Sequence, residues 1–202
     1  MDLTACTADD LFRLAKAMKQ GHFLVSSGHH TSVYYEKALL LGCPQTAREI
    51  VQRLAAKGKE CAPDIVIGPA MGGALLAFGV ALRLECQSAF FDKTHQNNLE
   101  IRRGYSFSRG ERVLIVDDVL ATGQSLSDIE HWVDQASLNC LGSVVILDRT
   151  RCTPAEDLVT LKYPVISLQR VSTPPNYPPN ACPMCNAGIV LEVSKAQTPS
   201  IV

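Results

Sequence analysis

From residue 64 onward the chain alternates short, nearly all-apolar runs with stretches of helical periodicity. Ile65–Ile67, Ala89–Phe91, Val113–Val116 and Val144–Leu147 are the apolar runs. The first leads into a helical pattern over Ala74–Leu84, the third into one carrying Leu126, Ile129, Val133 and Ala136. Strands that are apolar on both faces and separated by helices belong to a sheet covered on both sides, so the spacing predicts an α/β domain built on a parallel sheet. The uncharged stretch Ile65–Leu82 has the length of a membrane span, but Gly68, Pro69, Gly72 and Gly73 interrupt it after three β-branched residues. A buried strand, a glycine-rich turn and an apolar helix fit those letters better, and no membrane segment is expected.

The flanks read differently. Thr7 and Asp10 have capping-box spacing, followed by Leu11, Leu14, Ala15 and Met18, which predicts a helix ended by Gly21. Two β-like runs, His22–Val25 and Ser32–Tyr35, follow across a polar link from Ser26 to His30. Pro44 opens a second helix with Ala47, Ile50, Val51 and Leu54 on one face, closed near Gly58. After Arg151 the chain becomes proline-rich, with Pro154, Pro164, Pro174, Pro175, Pro178 and Pro179, and reads as an irregular appendage to the sheet.

Composition narrows the function. The 202 residues are 47% apolar and 19% charged, which suits one domain and excludes general disorder. Nineteen basic side chains stand against 20 acidic ones, with no basic stripe, so no nucleic-acid partner is expected. The opening MDLTACTADD lacks a basic start followed by an apolar run, and the eight cysteines are scattered. Reduced thiols in a cytoplasmic protein are therefore expected. Cys182 and Cys185 have the spacing of half a zinc site, but no second pair is suitably spaced. Cys152 or a histidine could complete one only by folding nearby, so thiols in a tight turn, and no metal, are the expectation.

The most informative segment is Arg112-Val113-Leu114-Ile115-Val116-Asp117-Asp118-Val119-Leu120-Ala121-Thr122-Gly123-Gln124-Ser125. An apolar strand delivers two adjacent carboxylates to its carboxyl end, where open α/β sheets place their ligands. Ala121–Ser125 then offers backbone N–H groups and two hydroxyls ahead of a helix start, a combination suited to phosphate. Paired carboxylates suit sugar hydroxyls, or a metal that accompanies phosphate. Neither a Gly-Lys-Ser/Thr P-loop nor a G-x-G-x-x-G fingerprint occurs, which disfavours nucleoside triphosphate and dinucleotide sites. Gly68–Gly73 would let backbone amides approach an anion, or alternatively permit a close strand–helix crossing.

Val113–Ser125 resembles the motif with which type I phosphoribosyltransferases bind phosphoribosyl pyrophosphate (PRPP). Gly21–Gly28 with Tyr34-Tyr35 is similar to the N-terminal region of the orotate phosphoribosyltransferases, and Ile67–Gly73 resembles their pyrophosphate loop. Arg102–Tyr105 and Cys182–Cys185 match a subgroup of them, and the resemblance spans roughly residues 10 to 191. It implies a type I phosphoribosyltransferase fold, with a core over about 44–151 and a small hood from about 1–43 and 152–202. It also implies Mg²⁺-dependent transfer of phosphoribose from PRPP to orotate, giving orotidine 5′-monophosphate and pyrophosphate in pyrimidine biosynthesis. Asp117 and Asp118 would face the ribose hydroxyls, with Val119, Leu120, Ala121, Thr122, Gly123, Gln124 and Ser125 wrapping the 5′-phosphate. Gly72, Gly73, Arg102 and Arg103 would meet the pyrophosphate, while Ala121, Arg149, Tyr34 and Tyr35 would meet orotate.

The polar stretch Asp92–Asn98 reads as a lid or as a solvated hairpin. By the resemblance it closes over a neighbouring subunit's site in a homodimer, with Lys93 and His95 neutralising the leaving group. The sequence departs from the family pattern in three places: a sparse basic lid, Ala121 where a hydroxyl is usual, and Ser26 where a basic residue is common. Two further readings therefore stand beside the first, a phosphoribosyltransferase for a purine or other base and a regulatory PRPP-binding homologue without turnover. For Arg149, an ion pair with Asp148 or Asp157 is the structural alternative.

Overall fold

The computed structural model describes residues 3–25, 28–93, 99–101, 104–172 and 174–193, with Lys93 and Val193 described in their backbone only. A six-stranded sheet forms its centre. The strands are β3 (Ile65–Pro69), β4 (Gln87–Lys93), β5 (Leu99–Ile101), β6 (Arg112–Leu120), β7 (Asn139–Asp148) and β8 (Val165–Arg170), in the order β5-β4-β3-β6-β7-β8. All neighbours run parallel except β4 and β5, which form an antiparallel pair at one edge.

Alternation along the strands splits the interior in two. Val66, Leu114, Val116, Val144 and Ile146 face one side, where they join Ile50 and Leu54 of α3 (Pro44–Gly58) and Leu76 and Val80 of α4 (Gly72–Leu84). Ile65, Ile67, Val113, Ile115 and Val145 face the other, against Leu126, Ile129 and Val133 of α5 (Gln124–Gln135). Burial on both faces explains why these runs read as continuously apolar.

The same topology locates the site. The chain leaves β3 through α4 toward β4, and leaves β6 through α5 toward β7, in opposite directions along the sheet. β3 and β6 are neighbours, so their carboxyl ends form the point at which strand order reverses, where a crevice opens in α/β sheets.

A second sheet, β2-β1-β9, joins β1 (Met18–Leu24), β2 (His30–Tyr35) and β9 (Glu192–Val193). Before it, α1 (Ala8–Leu14) carries the expected capping box, with Thr7 and Asp10 each accepting the other's backbone N–H. The expected helix through Met18 is corrected: α1 ends at Leu14, Lys16 takes a positive φ, and Met18 already pairs with Tyr35 in β1. Strand pairing overrides a helical spacing that rested on four residues. A short α2 (Lys37–Gly42) was not expected, because its Leu39-Leu40-Leu41 run has no periodicity.

The proline-rich tail is also less irregular than its composition suggests. Val165–Arg170, expected in the hood, is the sixth strand of the main sheet; Pro164 immediately precedes it and costs the ladder nothing there. Among the described residues no helix is long and apolar enough to cross a membrane. Ile65–Leu82 resolves into β3, a turn and most of α4.

Candidate active site

The acidic couplet sits near the carboxyl end of β6, with Asp117 and Asp118 still inside the strand that continues to Leu120. Alternation sends the two side chains to opposite sides, yet Asp117 Oδ1 accepts the backbone N–H of Asp118 at 2.8 Å and so turns back beside its neighbour. Asp118 is only 3% exposed and needs a partner. Lys37 supplies it, with Nζ 3.0 Å from Oδ2 and 3.2 Å from Oδ1. Burial opposes the charge on Lys37, but the Asp118 carboxylate outweighs it and holds the ammonium pKa above its ordinary value, with Asp117 and Tyr34 acting in the same direction. Lys37 lies on the unexpected α2, so the sequence reading missed it; its proximity to Tyr34-Tyr35 was the only signal.

Gly72 and Gly73 open α4 directly against this couplet. A Cβ placed on Gly72 would fall 2.0 Å from Asp118 Oδ2, and one on Gly73 would meet Pro69 Cδ at 2.5 Å and the Val116 carbonyl oxygen at 3.0 Å. A Cβ on Gly68 would collide with the Gly73 carbonyl at 2.1 Å. The close strand–helix crossing offered as an alternative is therefore present, and it brings the N-terminus of α4 against the carboxylates. The loop between β3 and α4 includes a cis peptide at Ala70–Met71.

On the other side of the couplet the chain bends through Ala121-Thr122-Gly123 into α5. Gly123 has φ 89°, a conformation that favours glycine. The bend's carbonyls are turned outward: Thr153 Oγ1 donates to the Ala121 oxygen at 3.2 Å, and the Val159 N–H donates to the Thr122 oxygen at 2.8 Å. Thr122 Oγ1 accepts the Gln124 N–H at 3.3 Å. The helix start at Gln124 presents amide hydrogens along the axis of α5, which favours an anion.

Two helix N-termini therefore flank two carboxylates at the reversal point of the sheet. Arg149 stands at the end of β7, 6% exposed, its N–H donating to the Leu120 carbonyl at 2.8 Å. Its guanidinium lies 5.5 Å above the Tyr35 ring, a cation–π distance. The carboxylates suggested as its ion-pair partners are engaged elsewhere: Asp148 by Arg170 at 2.7 Å, and Asp157 by His29 at 3.5 Å.

Tyr34 and Tyr35 point to opposite faces of β2. Tyr35 is buried, its ring edge-on to Phe12 and its hydroxyl donating to Asp9 Oδ1 at 3.1 Å. Burial, reinforced by Asp9, pushes that hydroxyl's pKa far above its ordinary value. Tyr34 packs on Phe23 on the opposite face. The two tyrosines thus do not line one surface together. The lid residues His95, Arg102 and Arg103, the side chain of Lys93 and the link residues Ser26 and Ser27 lie outside the described residues. Their flanks do not: β4 and β5 are paired through Lys93 and Leu99. A shallow cleft of about 670 Å³ lined by Gln52, Lys59, Arg83 and Arg112 opens at the amino end of β6, away from this constellation, and carries none of these groups.

Residues 31–169 match the phosphoribosyl transferase domain family. The chain is 35% identical over 179 residues to the orotate phosphoribosyltransferase of Caldicellulosiruptor saccharolyticus, covering 89% of this chain and 90% of that one. It is 30% identical over 183 residues to that of Chlorobium phaeobacteroides, with 91% of each covered. Among solved structures, the orotate phosphoribosyltransferase from Aeropyrum pernix superposes with a TM-score of 0.65 at 25% identity, covering 81% of this chain and 94% of that one. The adenine phosphoribosyltransferase from Saccharomyces cerevisiae, at 20% identity and a TM-score of 0.64, shares the fold over 80% of this chain and 99% of its own.

Proposed function

The chain belongs to the phosphoribosyl transferase domain family, and from that premise we propose that it transfers phosphoribose from PRPP to orotate, giving orotidine 5′-monophosphate and pyrophosphate for pyrimidine biosynthesis. The observation that carries the reading is the contact between Gly72 and Asp118, which brings a glycine-opened helix start against an acidic couplet already adjoining a second helix start. PRPP has the matching form, a sugar with a phosphate at one end and a pyrophosphate at the other. The relatives at 30–35% identity over about nine-tenths of the chain support orotate as the acceptor.

In this mechanism the bend Val119–Ser125 wraps the 5′-phosphate, with the amides of the α5 start and the hydroxyls of Thr122 and Ser125 as donors. Asp117 and Asp118 accept hydrogen bonds from the ribose hydroxyls and stabilise the positive charge that develops on the sugar as its anomeric bond breaks. The pyrophosphate leaves against the amides of Gly72 and Gly73. Arg149 pairs with the orotate carboxylate through its planar fork, held from below by Tyr35. Ala121 brings no hydroxyl and offers its backbone alone. Lys93, His95, Arg102 and Arg103 close over the leaving group and keep water from the activated sugar.

The donor set fits Mg²⁺, a hard cation that takes one or two carboxylates together with substrate phosphates: Asp117 and Asp118 are adjacent carboxylates near the carboxyl end of β6. Asp117 and Asp118 would hold it, and when bound it supplies positive charge against the departing pyrophosphate. A homodimer is supported by an apolar stripe along α4, where Met71, Leu75, Phe78 and Leu82 are 75%, 56%, 64% and 69% exposed at helical spacing.

The test is pyrophosphate release from PRPP and Mg²⁺ with a panel of bases. Release with orotate alone is expected. Release with a purine alone would move the acceptor, and PRPP binding without release for every base would leave a regulatory homologue.

A further inference from the structure

The second pair of ligands that the sequence did not offer to Cys182 and Cys185 is supplied by the fold. Leu24 of β1 lies opposite His30 of β2, and His22 sits in the irregularity where the register shifts between Gln20 and Phe23. The two imidazoles meet across the hairpin there, their ring centroids 4.8 Å apart. Reciprocal backbone hydrogen bonds of 2.8 Å between His30 and Tyr177 bring the C-terminal segment alongside, and β9 then pairs with β1. Between those anchors the turn at α6 (Pro183–Asn186) turns both thiols toward the imidazoles. His22, His30, Cys182 and Cys185 thus come from three separate stretches of the chain, and their four ligand atoms all lie within 4.8 Å of one another.

We propose that these four side chains form a structural zinc site. Cys182 Sγ is 3.5 Å and Cys185 Sγ 3.7 Å from His22 Nε2; Cys185 Sγ is 3.3 Å from His30 Nδ1, and the two nitrogens are 2.9 Å apart. A tetrahedron with Zn–N of ~2.0–2.1 Å and Zn–S of ~2.3 Å has edges of roughly 3.3–3.8 Å, so the three sulfur–nitrogen separations match and the nitrogens open slightly around an ion.

Proton accounting points the same way. His22 Nδ1 lies 2.8 Å from the Ile189 carbonyl oxygen, which accepts only, so Nδ1 carries the hydrogen and Nε2 presents its lone pair to the cluster. A carbonyl holding the far nitrogen is the usual support of a zinc-bound histidine. Without a cation, His30 Nδ1 must either donate to that lone pair or set a second lone pair against it at 2.9 Å, with two thiols crowding the same space. With zinc, two thiolates and two imidazole lone pairs converge on one positive charge. His22, His30 and Cys182 are buried, and four protein ligands leave no open position, which marks the site as structural. Its effect is to fasten the C-terminal segment, whose own strand is two residues long, onto the β1–β2 hairpin.

The experiment measures metal on the intact protein, purified without chelator. Elemental analysis should give about one zinc per chain, and Cys185→Ser or His30→Ala should each lose most of it while Cys43→Ser retains it. Because a ligand variant could fail to fold, the wild-type protein exchanged with cobalt(II) decides independently: it should show ligand-field bands of a tetrahedral site with thiolate-to-cobalt charge transfer. Cobalt without charge transfer, wild-type protein free of zinc after growth in zinc, or a Cys182–Cys185 disulfide in its place would overturn the proposal.

Discussion

Replacing Gly72 with alanine isolates the geometry on which the site depends. The added methyl would lie 2.0 Å from Asp118 Oδ2 and 3.1 Å from Lys37 Cδ. Asp118 is buried and ion-paired to Lys37, so its carboxylate has no solvated space into which to withdraw. To reach an ordinary 3.4 Å contact it must retreat by about 1.4 Å, and a misplacement of ~1 Å at a reacting centre costs on the order of 10²-fold in rate. Gly72→Ala should therefore lower kcat/KM for pyrophosphate release by about 10²-fold or more, and the same clash should lower the melting temperature as overpacking does, so the loss of rate and not the loss of stability is the diagnostic readout. Gly79→Ala is the matched control on the same helix. Its Cβ would meet Val51 Cγ2 at 2.7 Å, far from the couplet. Overpacking of ~1–3 kcal/mol there should lower the melting temperature by roughly 2–10 °C and leave kcat alone. A Gly72→Ala enzyme turning over within about threefold of wild type would refute the argument that this contact sets the catalytic geometry.

Other perturbations probe separate parts of the account. Arg149→Lys removes the planar fork and should raise KM for orotate by roughly 10- to 150-fold, the equivalent of ~1.5–3 kcal/mol, while KM for PRPP stays fixed; equal changes in both would remove Arg149 from the acceptor site. Phe78→Asp or Leu82→Glu, on the exposed stripe of α4, should convert a dimer to a monomer by light scattering, and an unchanged dimer would place the interface elsewhere. Arg112 holds the Asp64 carboxyl down to about 2 through its side-chain and backbone N–H groups. A lowered pKa contributes stability above the unfolded value of ~3.9 and loses it as pH falls toward 2. Asp64→Asn should thus lower the melting temperature at neutral pH and converge with wild type near pH ~2; a pH-independent difference would contradict that assignment.

What the sequence disclosed follows from how local each signal is. Pro44 and Gly58 bound a helix whose apolar spacing marks its inward face at Ile50 and Leu54, and α3 runs from Pro44 to Gly58, with Thr46 buried on that face as well. The apolar runs became β3, β4, β6 and β7 because burial on both faces leaves nothing else to vary. The couplet and the bend were visible because strand, carboxylates, glycine and helix start are contiguous. Lys37, the Tyr35–Arg149 stacking and the approach of His22 and His30 to Cys182 and Cys185 were not visible, since each joins residues distant in sequence. The edge strand β8 was obscured by the prolines around it, and Met18 was assigned to a helix because three or four apolar residues fit either period.

The most direct measurement is a crystal structure of the protein with PRPP and Mg²⁺. The account predicts the 5′-phosphate against Ala121–Ser125, the ribose hydroxyls on Asp117 and Asp118, and the pyrophosphate beside Gly72 and Gly73. Substrate bound elsewhere, with the carboxylates and the bend untouched, would contradict it.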